Sequence, residues 1–544
     1  MYGENVDRIS ELPEFILHNI LSNLDTKEAG RSSVLSKTWY QAWSSVPVLE
    51  FRLQDYKKEY WVCSMKFGFD VNDEVIQSFL GFIDRTIQRY DTQNYRIRKL
   101  HLELPTLDEK IELLADEWIR VVVQNQVEEL YIQTICLLPD RPGYRLPEIL
   151  FRAKSLKVLN CRNVVLPYYG TMELVSLEYL TLVLETVDAD LIQRILSFCP
   201  LVEFITTSDL GKISLPWPTN GNEGSDFIDT EITQSKFKAS PLRKFVYDGS
   251  DTVVTWQLNM NVVALKNLRE LIIYRTTITD DIVSELLYGL VALESLVLVS
   301  CSILKCIMIS SISLKQLRIL ECFDLIKITI DAPNLIEFCY NCEVETSVSL
   351  INVSDDCNAE LSPWVNTMES SITTDWLVKV KKILEETNFF QSLEIVLPGY
   401  LKIEVEEDQL RNVDTSPPYK LRELKLNETY AWYCVESPLM ALDGLFCICH
   451  PDVLSITTSL QDLTAEFPSL VVGDLACSTR IRIKCDAARN RGTSGQQQTI
   501  LDMLNCEVQC WKHPLKSIEV EGIDSSRLLS DPSQIEFRFR LSWH

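Results

Sequence analysis

The residues able to do chemistry in this chain are few and scattered. The histidines are His18, His101, His450, His513 and His544, too dispersed in sequence to suggest a base paired with a nucleophile. No G-x-S-x-G elbow, phosphate-binding G-x-x-x-x-G-K-[ST] loop, G-x-G-x-x-G fingerprint or H-E-x-x-H pair occurs. Acyl transfer, phosphoryl transfer and zinc proteolysis therefore have no anchor. Cys339-Tyr340-Asn341-Cys342 has C-x-x-C spacing. A zinc site would need a second ligand pair, and a redox site an activated thiolate in a thioredoxin-like setting. Here the pair stands in or just after an alternating apolar stretch, which suits packing thiols. Cys506, Cys510 and His513 are three potential ligands, with Cys434 or Cys447, Cys449 and His450 as further donors, but their intervals match no zinc finger. No catalytic, cofactor or metal residue is assigned.

What remains is binding, and composition limits the partner. Lys and Arg number 52 against 77 Asp and Glu, a formal charge of −25. Such a surface repels phosphate backbones and anionic lipid, so neither nucleic acid nor membrane is expected as a partner. The opening MYGENVDRIS lacks the basic and apolar regions of a secretory signal. No window approaches the roughly 20 apolar residues of a membrane span. The 17 cysteines are then expected as free thiols in a cytoplasmic and/or nuclear protein. At roughly 150 residues per domain, the length suits three or four domains, or one small domain and a long array.

Near the N-terminus, Leu12, Ile16, Leu17, Ile20, Leu21 and Leu24 fall on one wide helical stripe. Pro13 suits its first turn. Asp25 and Thr26 supply a turn and a fresh N-cap, Lys27 to Ala29 open a second helix, and Gly30, Ser32 and Ser33 break it. Val34, Leu35, Trp39, Ala42 and Trp43 follow at helical spacing until Pro47. Three such short helices make a small core that needs a partner surface. The string resembles the F-box of plant F-box proteins. It matches at Asp7-Arg8-Ile9-Ser10, Leu12-Pro13, Ile20-Leu21-Ser22, Thr26-Lys27-Glu28-Ala29, Ser33-Val34-Leu35-Ser36-Lys37, both tryptophans, and Pro47 with Leu49 and Phe51. It departs at Asp25, where the family often has Pro, and at Thr38 and Tyr40, where Arg is common. The resemblance implies docking on a Skp-type adaptor and, through it, a cullin. Leu12, Pro13, Ile16, Ile20, Leu21, Leu24, Val34, Leu35, Trp39 and Trp43 would divide between box core and adaptor contact, in a way the sequence does not specify. The same stripe would also serve a helical cap on a repeat array.

Downstream, an L-x-x-L-x-L pattern recurs: Ile97-Leu100-Leu102, Val127-Leu130-Ile132, Leu156-Leu159-Cys161, Leu177-Leu180-Leu182, Leu242-Phe245-Tyr247, Leu268-Leu271-Ile273, Leu293-Leu296-Leu298, Leu314-Leu317-Ile319, Leu335-Phe338-Tyr340, Leu421-Leu424-Leu426 and, more weakly, Leu515-Ile518-Val520. Starts at 242, 268, 293, 314 and 335 give steps of 26, 25, 21 and 21 residues, the period of leucine-rich repeats. Each copy reads as a short strand with its apolar residues inward. Cys301 and Cys322 occupy the repeat's N/C position, where a side chain can satisfy turn backbone groups. Between strands the spacing predicts helices, such as Asp280 to Leu290 capped by Thr279, Asp188 to Phe198 and Trp376 to Thr387, with Leu393 to Leu397 as a further strand. Residues 216–240, 351–373 and 489–498 read as polar loops, and 404–408, EVEED, as a solvated one. Ala332-Pro333-Asn334-Leu335 and Cys510-Trp511-Lys512-His513 with Leu515-Lys516 resemble elements of plant F-box/LRR proteins, the latter near their FBD region.

The expected architecture is an α/β repeat fold, a small all-α F-box followed by an irregular leucine-rich-repeat solenoid. Its divisions are 1–52 box, 53–96 linker or helical cap, 97–350 repeats, 351–420 irregular insertion with helix and strand, and 421–544 a C-terminal repeat or FBD-like region. The resemblance implies the function of a non-catalytic substrate-recognition subunit of a Skp-cullin-F-box ubiquitin ligase, and no cysteine is marked as a ubiquitin-transferring thiolate. An unidentified target would lie on the outward strand positions Glu270, Ile272, Tyr274, Val297, Val299, Gln316 and Arg318. An interaction scaffold without ligase assembly stays open, and so does an enzyme with an unrecognised site.

Overall fold

The structure is a computed structural model that describes residues 12–24, 26–53, 73–105, 109–135, 144–166, 173–184, 195–209, 241–249, 265–342, 346–365, 371–397, 402–404, 417–428, 444–459, 515–524 and 534–543. The chain divides into two compact units, Met1–Thr277 with Gly289–Leu293, and Ile278–Tyr288 with Glu294–His544.

The first unit opens with three helices, α1 (Glu14–Leu21), α2 (Thr26–Ser32) and α3 (Lys37–Ser44). Pro13 precedes α1, and its carbonyl accepts the Ile16 and Leu17 N–H groups. Three sequence expectations need correction. Gly30 does not break α2: the helix runs through it, and a Cβ there would meet the Trp43 ring at 3.5 Å. Val34 and Leu35 do not belong to the third helix. That helix begins at Lys37 because the Ser36 hydroxyl caps it, accepting the Trp39 N–H at 3.2 Å. Likewise Thr26 is no cap but the first residue of α2, and its hydroxyl accepts the Glu50 N–H at 2.8 Å.

The box ends in a strand, β1 (Val48–Phe51), that pairs in parallel with β2 (Lys99–Leu104), placing Leu49 beside Leu100 and Phe51 beside Leu102. The ladder continues through β3 (Glu129–Thr134), β5 (Val158–Arg162), β7 (Tyr179–Leu184), β8 (Phe204–Asp209), β9 (Lys244–Asp248) and β10 (Glu270–Tyr274), each parallel to the last. Two-residue strands β4 (Tyr144–Arg145) and β6 (Val164–Val165) pair separately. The apolar members of each L-x-x-L-x-L copy are buried, as period-2 alternation requires. Two copies go unmarked in the sequence pattern. Val202-Ile205-Thr207 carries a hydroxyl at its last buried position, and Val46-Leu49-Phe51 lies within the box itself.

Residues 73–93 are more than a linker. They form helix α4 (Asp73–Gln93), which with α5 (Glu109–Gln124) supplies the crossovers of the first two repeats. Tyr90 of α4 donates to the Val46 carbonyl at 2.7 Å, Phe82 meets Phe51 edge-on at 5.8 Å, and the Arg89 guanidinium lies 4.2 Å over Trp43. The box is thus fastened by strand pairing, a buried hydrogen bond and a cation–π contact. Of the predicted helix Asp188 to Phe198, residues 195–198 are helical and the remainder lies outside the described residues, as does the 216–240 loop.

In the second unit the parallel ladder runs β11 (Ser295–Val299), β13 (Gln316–Leu320), β15 (Glu337–Cys342), β17 (Asn358–Pro363), β19 (Ser392–Leu397), β21 (Tyr419–Glu428) and β22 (Cys449–Ser459). Where the step is 21 residues, the segment between ladder strands is a second strand instead of the predicted helix. β12 (Cys306–Ser310), β14 (Lys327–Asp331) and β16 (Ser347–Leu350) form their own parallel sheet. So short a step leaves no room for a helix with two connections, and Ile307-x-Ile309 and Ile328-x-Ile330 bury alternate residues. Helices survive at longer steps. These are α6 (Asp280–Gly289), whose Thr279 hydroxyl accepts the Ile282 N–H at 3.4 Å, and α7 (Thr374–Thr387), capped by Thr373 at 3.2 Å. Residues 351–373, expected as loop, contribute β17 and the short β18 (Ser371–Thr373), which pairs with β20 (Lys402–Glu404).

The C-terminal region closes the ladder in the opposite sense. β24 (Gln534–Trp543) is antiparallel to both β22 and β23 (Leu515–Asp524). Leu515-Ile518-Val520 is therefore not a parallel repeat copy. Only nine residues part β23 from β24, fewer than the dozen or so that a crossover to a parallel neighbour needs. Trp543 stacks on His450 at 4.0 Å and donates to the Pro451 carbonyl at 2.8 Å.

Because the box strand is a ladder strand, the box and the first repeats are expected to melt as one. Phe51→Ala should cost about 3–5 kcal/mol and lower a single denaturation midpoint; a separate early transition for the box would contradict the coupling.

Candidate functional site

On the box, the structure divides residues that the sequence leaves together. Leu17, Leu21, Ala29, Trp39 and Ala42 are buried, Leu12, Ile16, Leu24 and Trp43 half-buried, and Pro13 exposed. Apolar side chains also face solvent: Val34 is 85% exposed, Leu35 66%, Phe15 65%, Tyr40 55% and Ile20 38%. Phe15 and Tyr40 escape a reading based on the buried stripe, since they stand off its face. The cause is the Ser36 cap, which ends the loop after Leu35 and leaves Val34 and Leu35 on a turn with nothing of the box to cover them. Five large apolar side chains exposed on so small a unit suit an interaction surface.

In the repeats, the predicted positions do face outward from their ladders. In the first unit Glu270, Ile272 and Tyr274 are half-buried on β10, and Glu270 holds Lys244 at 2.7 Å. In the second, Val297 and Val299 are half-buried on β11. Gln316 and Arg318 of β13 are exposed but engaged, both donating to Glu337. Further along, Lys425 pairs with Glu360, Arg538 and Ser455 donate to Glu423 at 3.2 and 2.6 Å, and Asn427 donates to Glu394 at 2.5 Å. Burial, joined by the Glu360 charge, raises the Glu394 carboxyl above its ordinary value.

The first unit's ladder holds a group that sequence spacing does not assemble. Lys99 donates to Glu50 at 2.9 Å and lies 5.1 Å from the Tyr131 ring centre, and His101 stacks on Tyr131 at 5.7 Å. Burial, with Arg52 beside it, pushes the His101 imidazole down to about 4. Part of the signal was present in the repeats, because Lys99, His101 and Tyr131 occupy outward positions of recognised copies, whereas Glu50 and Arg52 belong to the strand hidden within the box.

Cys339 sits 3.7 Å from a Glu360 oxygen, and burial with that carboxylate drives its thiol up to about 12. Cys301 and Cys322 are buried and donate to the Val299 and Leu320 carbonyls of their own turns. Among the described residues no three His, Cys, Asp or Glu side chains gather as a metal site, and no helix is long and apolar enough to cross a membrane. Cys506, Cys510 and His513 lie outside the described residues.

Comparison with known proteins finds two family models in the chain. The F-box domain model matches residues 9–51, and the model described as At1g61320/AtMIF1, LRR domain matches residues 254–395. The chain carries an F-box and leucine-rich repeats. Its relatives are Arabidopsis thaliana proteins of the F-box, LRR-repeat and FBD kinds. Putative F-box protein At1g49610 is 32% identical over 206 residues, covering 37% of this chain and 44% of the relative. FBD-associated F-box protein At5g56370 is 28% identical over 276 residues, 48% and 54%. F-box/LRR-repeat protein 13 is 28% identical over 209 residues, 38% and 41%. The matches thus span about half or less of these relatives' lengths. The F-box model ends at Phe51, the last residue of the first ladder strand.

His101 supplies a pH test. Its folded value near 4 lies below the ordinary 6.5, so the folded state holds fewer protons between them. Stability attributable to this group is intact above pH 6.5 and is lost as pH falls towards 4. His101→Gln should lose less stability than wild type over that window in urea titrations at stepped pH; parallel curves would contradict the assignment.

Proposed function

We propose that the chain is the substrate-recognition subunit of a Skp-cullin-F-box ubiquitin ligase. The carrying observation is the two-sided box. Phe15, Ile20, Val34, Leu35 and Tyr40 are exposed, while β1 and α4 tie the opposite part into the ladder. An apolar face of this kind suits the groove of a Skp-type adaptor, and the F-box match supports that partner. The repeats would hold a target protein on the outward strand face, at positions such as Ile272 and Tyr274 of the first unit. Ubiquitin transfer would then gain from raised effective concentration of target lysines, with no side-chain chemistry supplied by this chain. The protein would be non-catalytic and reside in the cytoplasm and/or nucleus, where thiols such as Cys161 and Cys322 stay reduced.

The test is capture of a purified Skp-type adaptor by the full chain. Val34→Glu/Leu35→Glu should weaken capture by about 2 kcal/mol or more and leave the melting temperature unchanged, since both side chains face water. Leu17→Ala should lower stability instead, by about 2–5 kcal/mol. A folded wild type that captures no adaptor would overturn the ligase reading and leave an interaction scaffold.

A further inference from the structure

Outward side chains of the first four ladder strands stand in register. One row is Glu50, His101, Tyr131 and Asn160. The next row, one pleat further along, holds Glu103, Gln133 and Arg162, with Arg52 following Phe51 at its edge. Tyr131 forms the floor, with His101 stacked on it and Lys99 close to its ring. Three carboxylates stand nearby, and all are engaged: Glu129, opposite Lys99 in register, holds Arg98 at 3.5 Å. Glu50 holds Lys99 at 2.9 Å and Arg52 at 3.2 Å, and the buried Glu103 accepts the Leu53 N–H at 2.8 Å. Arg162 is exposed, and no carboxylate among the described residues pairs with it. The field at His101 follows from this census: Arg52, Lys99 and Arg162 all push its proton off, and Glu50 opposes them. A locally positive patch with an aromatic floor therefore sits on a chain of formal charge −25.

We propose that this patch binds an acidic peptide segment of a target protein, with Arg162 and Arg52 taking its carboxylates and the His101–Tyr131 stack carrying its apolar atoms. The proposal rests on the reading that the ladder face holds the target. Charge complementarity selects the partner, and size selects its class. Four strands about 4.8 Å apart span about 14 Å, enough for a few extended residues. Beyond them the central row turns uncharged, at Thr181, Thr206, Val246 and Ile272. A nucleic acid would have to continue onto a surface without cations in that row, on a protein whose net charge repels it.

The experiment titrates the full chain with a labelled Asp/Glu-rich decapeptide, a Lys/Arg-rich decapeptide and a single-stranded oligonucleotide. The acidic peptide is expected to bind, its affinity falling as salt rises. Arg162→Glu should weaken it about tenfold with an unchanged melting temperature, and Arg162→Lys should keep part of the affinity. Equal binding by Arg162→Glu, no binding of the acidic peptide, or tighter binding of the basic peptide or the oligonucleotide would overturn the proposal. Adaptor capture measured on the same preparations separates the two readings: capture without acidic-peptide binding removes this inference and leaves the ligase reading standing.

Discussion

The structure of the first unit depends on a four-residue parallel pairing, Val48–Phe51 against Lys99–Leu102. Through it the F-box supplies the first rung of the repeat ladder. Leu49 and Phe51 join the ladder core at 1% exposure each, and Tyr90 returns from α4 to satisfy the Val46 carbonyl. Backbone hydrogen bonds and buried apolar surface act on the same residues, which makes the junction as hard to open as any interior repeat. A receptor built this way holds whatever its first repeats bind at a set distance from whatever its box binds. Effective concentration is highest when the span is fixed and matched.

That junction also explains why the box can expose so much apolar surface. A free-standing unit of three short helices has too little core to leave Val34, Leu35 and Phe15 in water. Here the ladder, α4 and the Arg89–Trp43 contact supply the missing packing, so the exposed face is free to serve a partner. Within the repeats, step length sets what lies behind the ladder. A step of about 30 residues from the start of β2 to the start of β3 accommodates α5, while a step of 21 admits only a strand. The antiparallel β22–β24–β23 arrangement then covers a ladder edge that would otherwise present unpaired backbone groups.

Much of this was readable beforehand. The L-x-x-L-x-L copies marked most ladder strands, because inward side chains must be apolar whatever the neighbour. Thr279 announced its helix through capping chemistry that is local. The misses have equally physical causes. β17 buries Cys357, Ala359 and Leu361, residues too small or too weakly apolar to register as a copy. Val46-Leu49-Phe51 was absorbed by the box resemblance. Gly30 was read as a breaker because a lone glycine usually is, but the approach of Trp43 makes it an asset.

The sequence by itself determined the inside of this protein: alternation, repeat period and caps depend on residues near one another along the chain. It also identified the box, whose residue order is contiguous. Only the tertiary structure decided the outside. Whether Val34 and Leu35 are core or surface turns on where the next helix starts, which the Ser36 cap sets just after them. Arg52, His101, Tyr131 and Arg162 come together solely through strand register, an interaction between segments about 30 residues apart that no local pattern encodes.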